Sequence, residues 1–537
     1  MDRLVILGLD GATFDLILPW AEQGHLPAFA RLLKNGAYAD LESVPNMNTA
    51  PAWTTFMTGK NPGKHGIFWF AEEGEEAGTV RFVTAADRKA VSIWRLLSDE
   101  RRRVAVMNVP LTYPAEAVNG VMIAGFDAPS TSSSNFSYPP DAIVELERRC
   151  GTYNVHAAIA HHAGAGRRER VVEAALEAEE TRVCAAVSLL KQEPWDAFMY
   201  MIKATDMAAH YLWDYDAPFQ KFLLPIYQYA DSALDRFLAA AGDDCGVLVM
   251  SDHGFGWRQP AAEYLNEILI QLGYMKKQES ASQGAVWRAF HIAKRLGPQA
   301  KGAVKRLLPG LHRRFGYKIR FGGIDWSGTR AYSDNTRHCV WINLRGRNPK
   351  GIVNTSDYDR VVEEIREILC DLTDPDTGEK AIEAVWRPHE IYTGPHANEA
   401  PDLQIHWRYD RPVHGLAYEG RFGRAASRHS AKGMMTSLTG AHRPTGVLMM
   451  SGPQFRTGGR LEKVNLQDIA PTILHLAETP IPDDMDGRVL LEALAEPYAS
   501  MPITYAEKQQ EEGIEASIYT ESEAAELEER LRSLGYL

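Results

Sequence analysis

The sequence predicts an α/β fold, a large, mostly parallel central sheet with helices on both faces. Three observations carry this. The short apolar runs RLVILGLDG, WDAFMYMIKATD and GVLVMSDHGFG read as strands buried on both faces, as strands of a parallel sheet are. Amphipathic helical segments alternate with strand-like runs along most of the chain. At 537 residues the chain can bury a large core as one elaborated body with insertions.

The first run ends in Asp10 and Gly11. In open α/β sheets ligands gather at the carboxyl ends of the strands, so an acid placed there is a candidate ligand as well as a candidate helix cap. Helical periodicity follows from Phe14 to Lys34, then the strand-like AYADLES. The next stretch, Asn46 to Gly66, places Thr49 at a strand-to-helix turn. PAWTTFMTG reads as a short helix with Pro51 in its first turn, where a missing N–H costs nothing, and KNPGKHG reads as loop. A hydroxyl at a helix N-terminus is suited to an anionic substrate such as a phosphate, because the first amides lack intrahelical partners and the dipole is positive there.

KAVSIWRLLSDE and DAIVELERRC continue as helices, RRVAVMNVP and GVMIAGF as strands. VHAAIAHHAGAG, with His156, His161 and His162, reads as a small-residue loop and not as a metal site. A long helix carrying Arg182 and Leu189 leads to the strand that ends near Lys203 and Asp206. Asp206 and His210 stand four residues apart, on one helical face, where they can share an ion. Asp252 and His253 are adjacent at the end of another apolar strand, with Gly254 free to turn the backbone. Between residues 274 and 325 the composition becomes basic with interleaved apolar residues, which reads as a partly helical insertion: a lid that attracts anionic substrate, a membrane-surface element, or a solvated helical hairpin packed on the body. Beyond it TRAYSDN, HCVWINLRG and APDLQIHW are strand-like and DYDRVVEEIREILCDL is helical. After a Gly/Arg-rich loop, His442 stands just ahead of one more buried strand, and LEKVNLQDIAPTILHLAE is a helix. A terminal helix carries Thr520 and Glu523 as a capping box, with Leu527, Leu531 and Leu534 on one stripe.

The net charge of −12 argues against nucleic acid as a partner. Five scattered cysteines without a CxxC pair suit a reducing compartment, and the first residues enter a strand pattern with no basic leader ahead of a long apolar run. The expectation is a cytoplasmic protein.

Asp10, Thr49, Asp206, His210, Asp252, His253 and His442 all fall at or just beyond predicted strand ends, which share one edge in a parallel sheet. Three Asp and three His form a mixed oxygen and nitrogen set suited to two borderline cations. LGLDGA, TAPAW-x5-TG-x2-P-x2-HG, TD-x3-H, SDHG and the late GAH resemble the alkaline phosphatase superfamily, in its type I phosphodiesterase and nucleotide pyrophosphatase branch, from Leu4 to about Leu490. The resemblance implies two divalent metal ions, zinc before manganese, with Asp10, Thr49, Asp252 and His253 around one and Asp206, His210 and His442 around the other. It implies a catalytic domain at 1–273 and 326–500, the basic insertion at 274–325 and a helical tail at 501–537. The implied activity is hydrolysis of a small phosphorylated substrate, a diester or pyrophosphate-type bond, through a phosphothreonine at Thr49. A phosphotransferase or mutase using the same site, and a non-catalytic binding protein on this fold, are the alternatives. Where the branch carries an Asn shortly after the HG motif to hold a phosphoryl oxygen, this chain has Phe68, Trp69 and Phe70. Lys203, Arg443 or a basic residue of the insertion are the candidates to supply the missing charge, and spacing does not choose among them. A sulfatase reading fares worse, since that branch needs a Cys or Ser within C/S-x-P-x-R and TAPAW has no Arg at that place.

Overall fold

The computed structural model describes residues 3–73, 80–155, 157, 159–192, 194–214, 220–242, 244–278, 323–334, 337–428, 438–508 and 519–533. Its centre is a nine-stranded sheet. In chain order the strands are β1 (Leu4–Leu9), β2 (Ala37–Glu42), β3 (Val104–Met107), β4 (Gly120–Ile123), β5 (Ser137–Tyr138), β6 (Ala197–Ile202), β7 (Gly246–Met250), β8 (Thr445–Ser451) and β9 (Val464–Asn465). Their spatial order is β9-β2-β8-β7-β1-β6-β3-β4-β5. β1 lies at the middle, parallel to β6 from Leu4↔Ala197 to Leu9↔Ile202 and parallel to β7 from Leu4↔Gly246 to Gly8↔Met250. Only β8 and the edge strand β5 run against their neighbours. Every residue of β1, β6 and β7 is buried, which is why these strands read as unbroken apolar runs.

The helix after β2, α1 (Thr49–Thr58), is entirely buried and packs down onto β1. A Cβ on Gly8 would lie 2.5 Å from the Trp53 ring, so the glycine allows this approach and thereby fixes how close Thr49 comes to the sheet edge. The other helices used below are α2 (Ala142–Cys150), α3 (Arg168–Leu190), α4 (Ala204–Leu212), α5 (Thr355–Asp371) and α6 (Glu521–Ser533).

Several expectations are corrected. The helix expected from Phe14 to Lys34 is two, Phe14–Glu22 and Pro27–Asn35, since GHLP breaks the pattern between them. Pro62–His65 and Ile159–Gly164 are short helices where loops were expected; His156 lies outside the described residues. The Gly/Arg-rich segment contains a hairpin, Gly415–Gly420 with Gly423–Arg428. Cys150 and Cys184, far apart in sequence, form a disulfide joining the end of α2 to α3.

Residues Ala261 to Ala425 supply a second hydrophobic core, separate from that of the main sheet. It is built on an antiparallel sheet, Ala331–Asp334, Cys339–Ile342, Leu403–Trp407 and Ile382–Trp386, packed with α5. Residues 279–322, which hold most of the basic segment, lie outside the described residues, as does Leu534. The terminal capping box is present: Thr520 N–H donates to Glu523 Oε2 (2.9 Å) and Glu523 N–H to Thr520 Oγ1 (3.3 Å), and Leu527 and Leu531 are buried against the main core. Among the described residues no helix is long and apolar enough to cross a membrane.

Candidate active site

The carboxyl edge of the sheet collects the predicted side chains. β1 delivers Asp10, β7 delivers Asp252 and His253, and α4, which starts two residues after β6 ends, carries Asp206 and His210. His442 arrives by a different route. It sits on Gly440–Arg443, a strand paired with Gly254–Trp257 so that His442 stands opposite Phe255. Because β8 is antiparallel, the residues entering it lie at the same edge the parallel strands leave. Thr49 is the first residue of α1, with Asn48 as its cap accepting from Ala50 N–H at 3.2 Å, and it is fully buried.

These side chains form two adjoining sets. In the first, His253 Nδ1 lies 3.0 Å from the Gly254 carbonyl, which selects the tautomer protonated there and leaves a lone pair on Nε2. That lone pair faces Asp252 Oδ2 at 3.3 Å and Asp10 Oδ1 at 3.6 Å, with Thr49 Oγ1 at 3.1 Å. Neither Asp10 Oδ1 nor Asp252 Oδ2 has a hydrogen-bond donor among the described residues, and both are buried. In the second, His442 Nδ1 lies 2.6 Å from the Met47 carbonyl, which likewise turns Nε2 into an acceptor. It meets Asp206 Oδ1 and His210 Nε2, each at 3.1 Å, and His210 Nε2 stands 3.3 Å from the same Asp206 oxygen. Carboxylate oxygens and imidazole nitrogens brought this close together make the edge a candidate cation site. Asp10, Asp252 and His253 converge closely enough to hold one, as do Asp206, His253 and His442. The donor chemistry, carboxylate oxygen with neutral imidazole nitrogen, fits divalent zinc or a neighbour of it.

The protonation behaviour follows from burial and from one lysine. Burial pushes the Asp10 carboxyl up to about 6 against the opposing pull of Lys203. Burial, and then the charge of Asp10, raises Asp252 well above the carboxylate range. Asp206 goes the other way: burial would raise it, but the Lys203 ammonium and then His210 hold it well below its ordinary value. Burial lowers His253 strongly, with the neighbouring His442 next in weight, and burial lowers His210, so both imidazoles are held neutral.

Two sequence candidates take other places. Lys203, expected to meet substrate, is 2 % exposed and donates to Asp10 Oδ2 at 2.9 Å and Asp206 Oδ2 at 2.7 Å, behind the ligands. Arg443 follows His442 on a strand, so the two side chains leave opposite faces. The Arg443 guanidinium rests on the rings of Trp257 (5.2 Å) and Tyr409 (4.5 Å) and donates to the His442 carbonyl at 3.1 Å, bracing the histidine's strand. Phe68 and Trp69, where the missing Asn was noted, pack in a small cluster with Tyr392, and Asn46 Nδ2 donates to the Phe68 carbonyl at 3.0 Å. Sequence reasoning missed the residues that aim the ligands. Met47 orients His442 through its carbonyl, and Ser251 Oγ accepts Ala12 N–H at 2.8 Å while donating to the His253 carbonyl. The serine immediately before Asp252 and His253 was the available signal.

A mostly parallel sheet with acids and histidines converging at its carboxyl edge, after a threonine at a helix start, is an alkaline phosphatase-like α/β fold. The chain belongs to the type I phosphodiesterase / nucleotide pyrophosphatase family, whose sequence model matches residues 4–410. Among solved structures, phosphonoacetate hydrolase from Sinorhizobium meliloti 1021, in complex with phosphonoformate, shares the fold at a TM-score of 0.50 and 15% identity, covering 89% of this chain and 95% of its own. Murine ectonucleotide pyrophosphatase / phosphodiesterase 5 aligns at a TM-score of 0.48 and 12% identity, over 92% of this chain and 100% of its own. No curated protein matches the sequence.

Proposed function

We propose that the chain is a two-cation phosphohydrolase that cleaves a phosphodiester or pyrophosphate-type bond of a small substrate, with Thr49 as nucleophile and zinc as the cation. The observation that carries this is the pair of converging sets, Asp10, Asp252 and His253 beside Asp206, His253 and His442, at one sheet edge with the Thr49 hydroxyl 3.1 Å from His253. Bound there, divalent cations would supply Lewis acidity, lowering the pKa of the threonine hydroxyl and neutralising charge on the phosphoryl oxygens and the leaving group.

The chain's own residues do the rest. α1 presents the Thr49 oxygen at its first turn, beside amides without intrahelical partners, where an anionic phosphoryl group is favoured. In-line attack forms the bond from Thr49 Oγ1 to phosphorus and breaks the bond from phosphorus to the leaving oxygen. Water then replaces the threonine oxygen and frees the second product as phosphate or phosphomonoester. Packing fixes the Thr49 rotamer, since its residue is fully buried and β-branched. The test is metal analysis of an active preparation together with turnover of a panel of phosphomonoesters, diesters and nucleotides. The proposal expects close to two zinc ions per chain and highest kcat/KM on a diester or pyrophosphate. One ion or none in an active preparation contradicts it.

A cytoplasmic site of action belongs to the same proposal. The redox state of Cys150 and Cys184 in the intact cell tests it, because a reducing compartment holds the pair as thiols.

A further inference from the structure

Lys203 sits between the two acceptor sets, and its geometry divides the work of two carboxylates. Asp10 gives its Oδ2 to the lysine (2.9 Å) and turns Oδ1 toward His253; Asp206 gives its Oδ2 to the lysine (2.7 Å) and turns Oδ1 toward His210 and His442. One ammonium thus grips the outer oxygen of one acid from each set, leaving the inner oxygens aimed at the histidines. The lysine is itself held. Its backbone N–H donates to Glu179 Oε1 at 3.1 Å, and its Nζ lies 4.5 Å from the centre of the Phe126 ring. Phe126 is fixed in turn by Arg530 of α6, whose guanidinium donates to the Phe126 carbonyl at 2.6 Å and the Ala128 carbonyl at 2.7 Å.

Resting on the two-cation reading of the site, we infer that Lys203 is a positioning residue that joins the two cation sites from behind, orienting Asp10 and Asp206 and supplying a fixed positive charge among three buried carboxylates. It does not bind substrate. Two opposing consequences follow. A cation entering either set meets a like charge a few ångströms away, so the lysine holds cation affinity down. The same lysine fixes which oxygen of each acid faces inward, and misdirected ligands lower transition-state stabilisation more than they lower binding.

The experiment compares the parent with Lys203→Met, both stripped of metal, by zinc titration against a chromogenic chelator and by turnover of bis-p-nitrophenyl phosphate after reloading. The expected result is a zinc affinity about tenfold or more tighter in the variant, with kcat lowered roughly a hundredfold and KM within about threefold of the parent. Loss of a direct ligand would weaken zinc, and loss of a substrate contact would raise KM and leave zinc affinity alone, so either pattern overturns the inference. Unchanged zinc affinity overturns it too. Lys203→Gln keeps a hydrogen-bond donor without the charge and should tighten zinc in the same direction, which preserves the test if the Met variant fails to fold. A parent that takes up no zinc contradicts the two-cation reading itself, and this inference with it, whereas a parent that binds two ions beside a variant of equal affinity contradicts only the role given to Lys203.

Discussion

The two halves of the candidate site offer similar donor groups but stand on different ground. Asp10, Asp252 and His253 come from the ends of adjacent central strands and have no solvent-exposed surface. Their supports come from the same two central strands: Gly11 N–H, just past the end of β1, donates to Asp252 Oδ1 at 3.3 Å, and His253 is oriented by the very next carbonyl. In the other half the His210 and His442 side chains keep 8 % and 13 % of their surface exposed. That half depends on chain that arrives from elsewhere. His442 is aimed by the Met47 carbonyl, and Thr439 N–H donates to the His210 carbonyl at 2.7 Å. The difference teaches that a ligand set built on core strands is preorganised by the fold itself, whereas a set completed by a peripheral ribbon has a more open and more exchangeable character.

The largest expected effect breaks the deep half. Asp252→Asn should lower kcat by roughly a thousandfold or more, and added zinc should not restore it, because the charge lost is buried and no water can take its place. His442→Ala should lose roughly a hundredfold, with part of the activity returning in excess zinc since that position opens to solvent. Zinc dependence of turnover in both variants checks the contrast. Equal recovery in the two would erase the distinction between the halves. A shorter exposure of the parent to chelator sharpens the same point: zinc should leave in two phases, the fast phase ending near one ion per chain, and a single phase would contradict unequal accessibility.

How the sequence exposed these halves follows the same division. Asp10, Asp252 and His253 were legible because each closes an apolar strand, and the pattern that makes a strand also says which of its ends carries ligands. The spacing of Asp206 and His210 gave their helical face. His442 was found by its position before a strand, but the ribbon with Gly254–Trp257 that presents it is a pairing across nearly two hundred residues, and no local pattern encodes such a partner. For the same reason Lys203 read as a free substrate ligand: its spacing to Asp206 was visible and its reach to Asp10 was not. The second core was hidden because TRAYSDN, HCVWINLRG and APDLQIHW carry the same apolar runs whether they join the main sheet or build another. The Cys150–Cys184 bond was hidden because it depends on how α2 packs on α3.

The smallest effect concerns a support that both halves share through Lys203. Asp127, in the segment that α6 holds through Arg530, has its carboxyl pushed by burial up to about 6. An unfolded aspartate titrates near 3.9, so the folded state binds this proton more tightly. The corresponding stability is fully present below the unfolded value and is lost as pH rises through about 6. Asp127→Asn, neutral throughout, should therefore melt within a degree of the parent at acidic pH and roughly 2–4 °C above it at pH 8. Thermal melts of the metal-free proteins at the two pH values check it, and a gap that is the same at both would contradict the assignment.

The central claim is that the edge where the two halves meet exists to let Thr49 bond to phosphorus. Rapid mixing of the zinc-loaded parent with a radiolabelled phosphodiester, followed by an acid quench within one turnover and peptide mapping, reads this directly. The account predicts label on Thr49 in the parent, a smaller but measurable amount on serine in Thr49→Ser, which keeps the hydroxyl, and none in Thr49→Ala, which should also have lost turnover. A Thr49→Ala variant that turns over as fast as the parent, or a parent in rapid turnover with no label on Thr49, would contradict it and assign the attack to water.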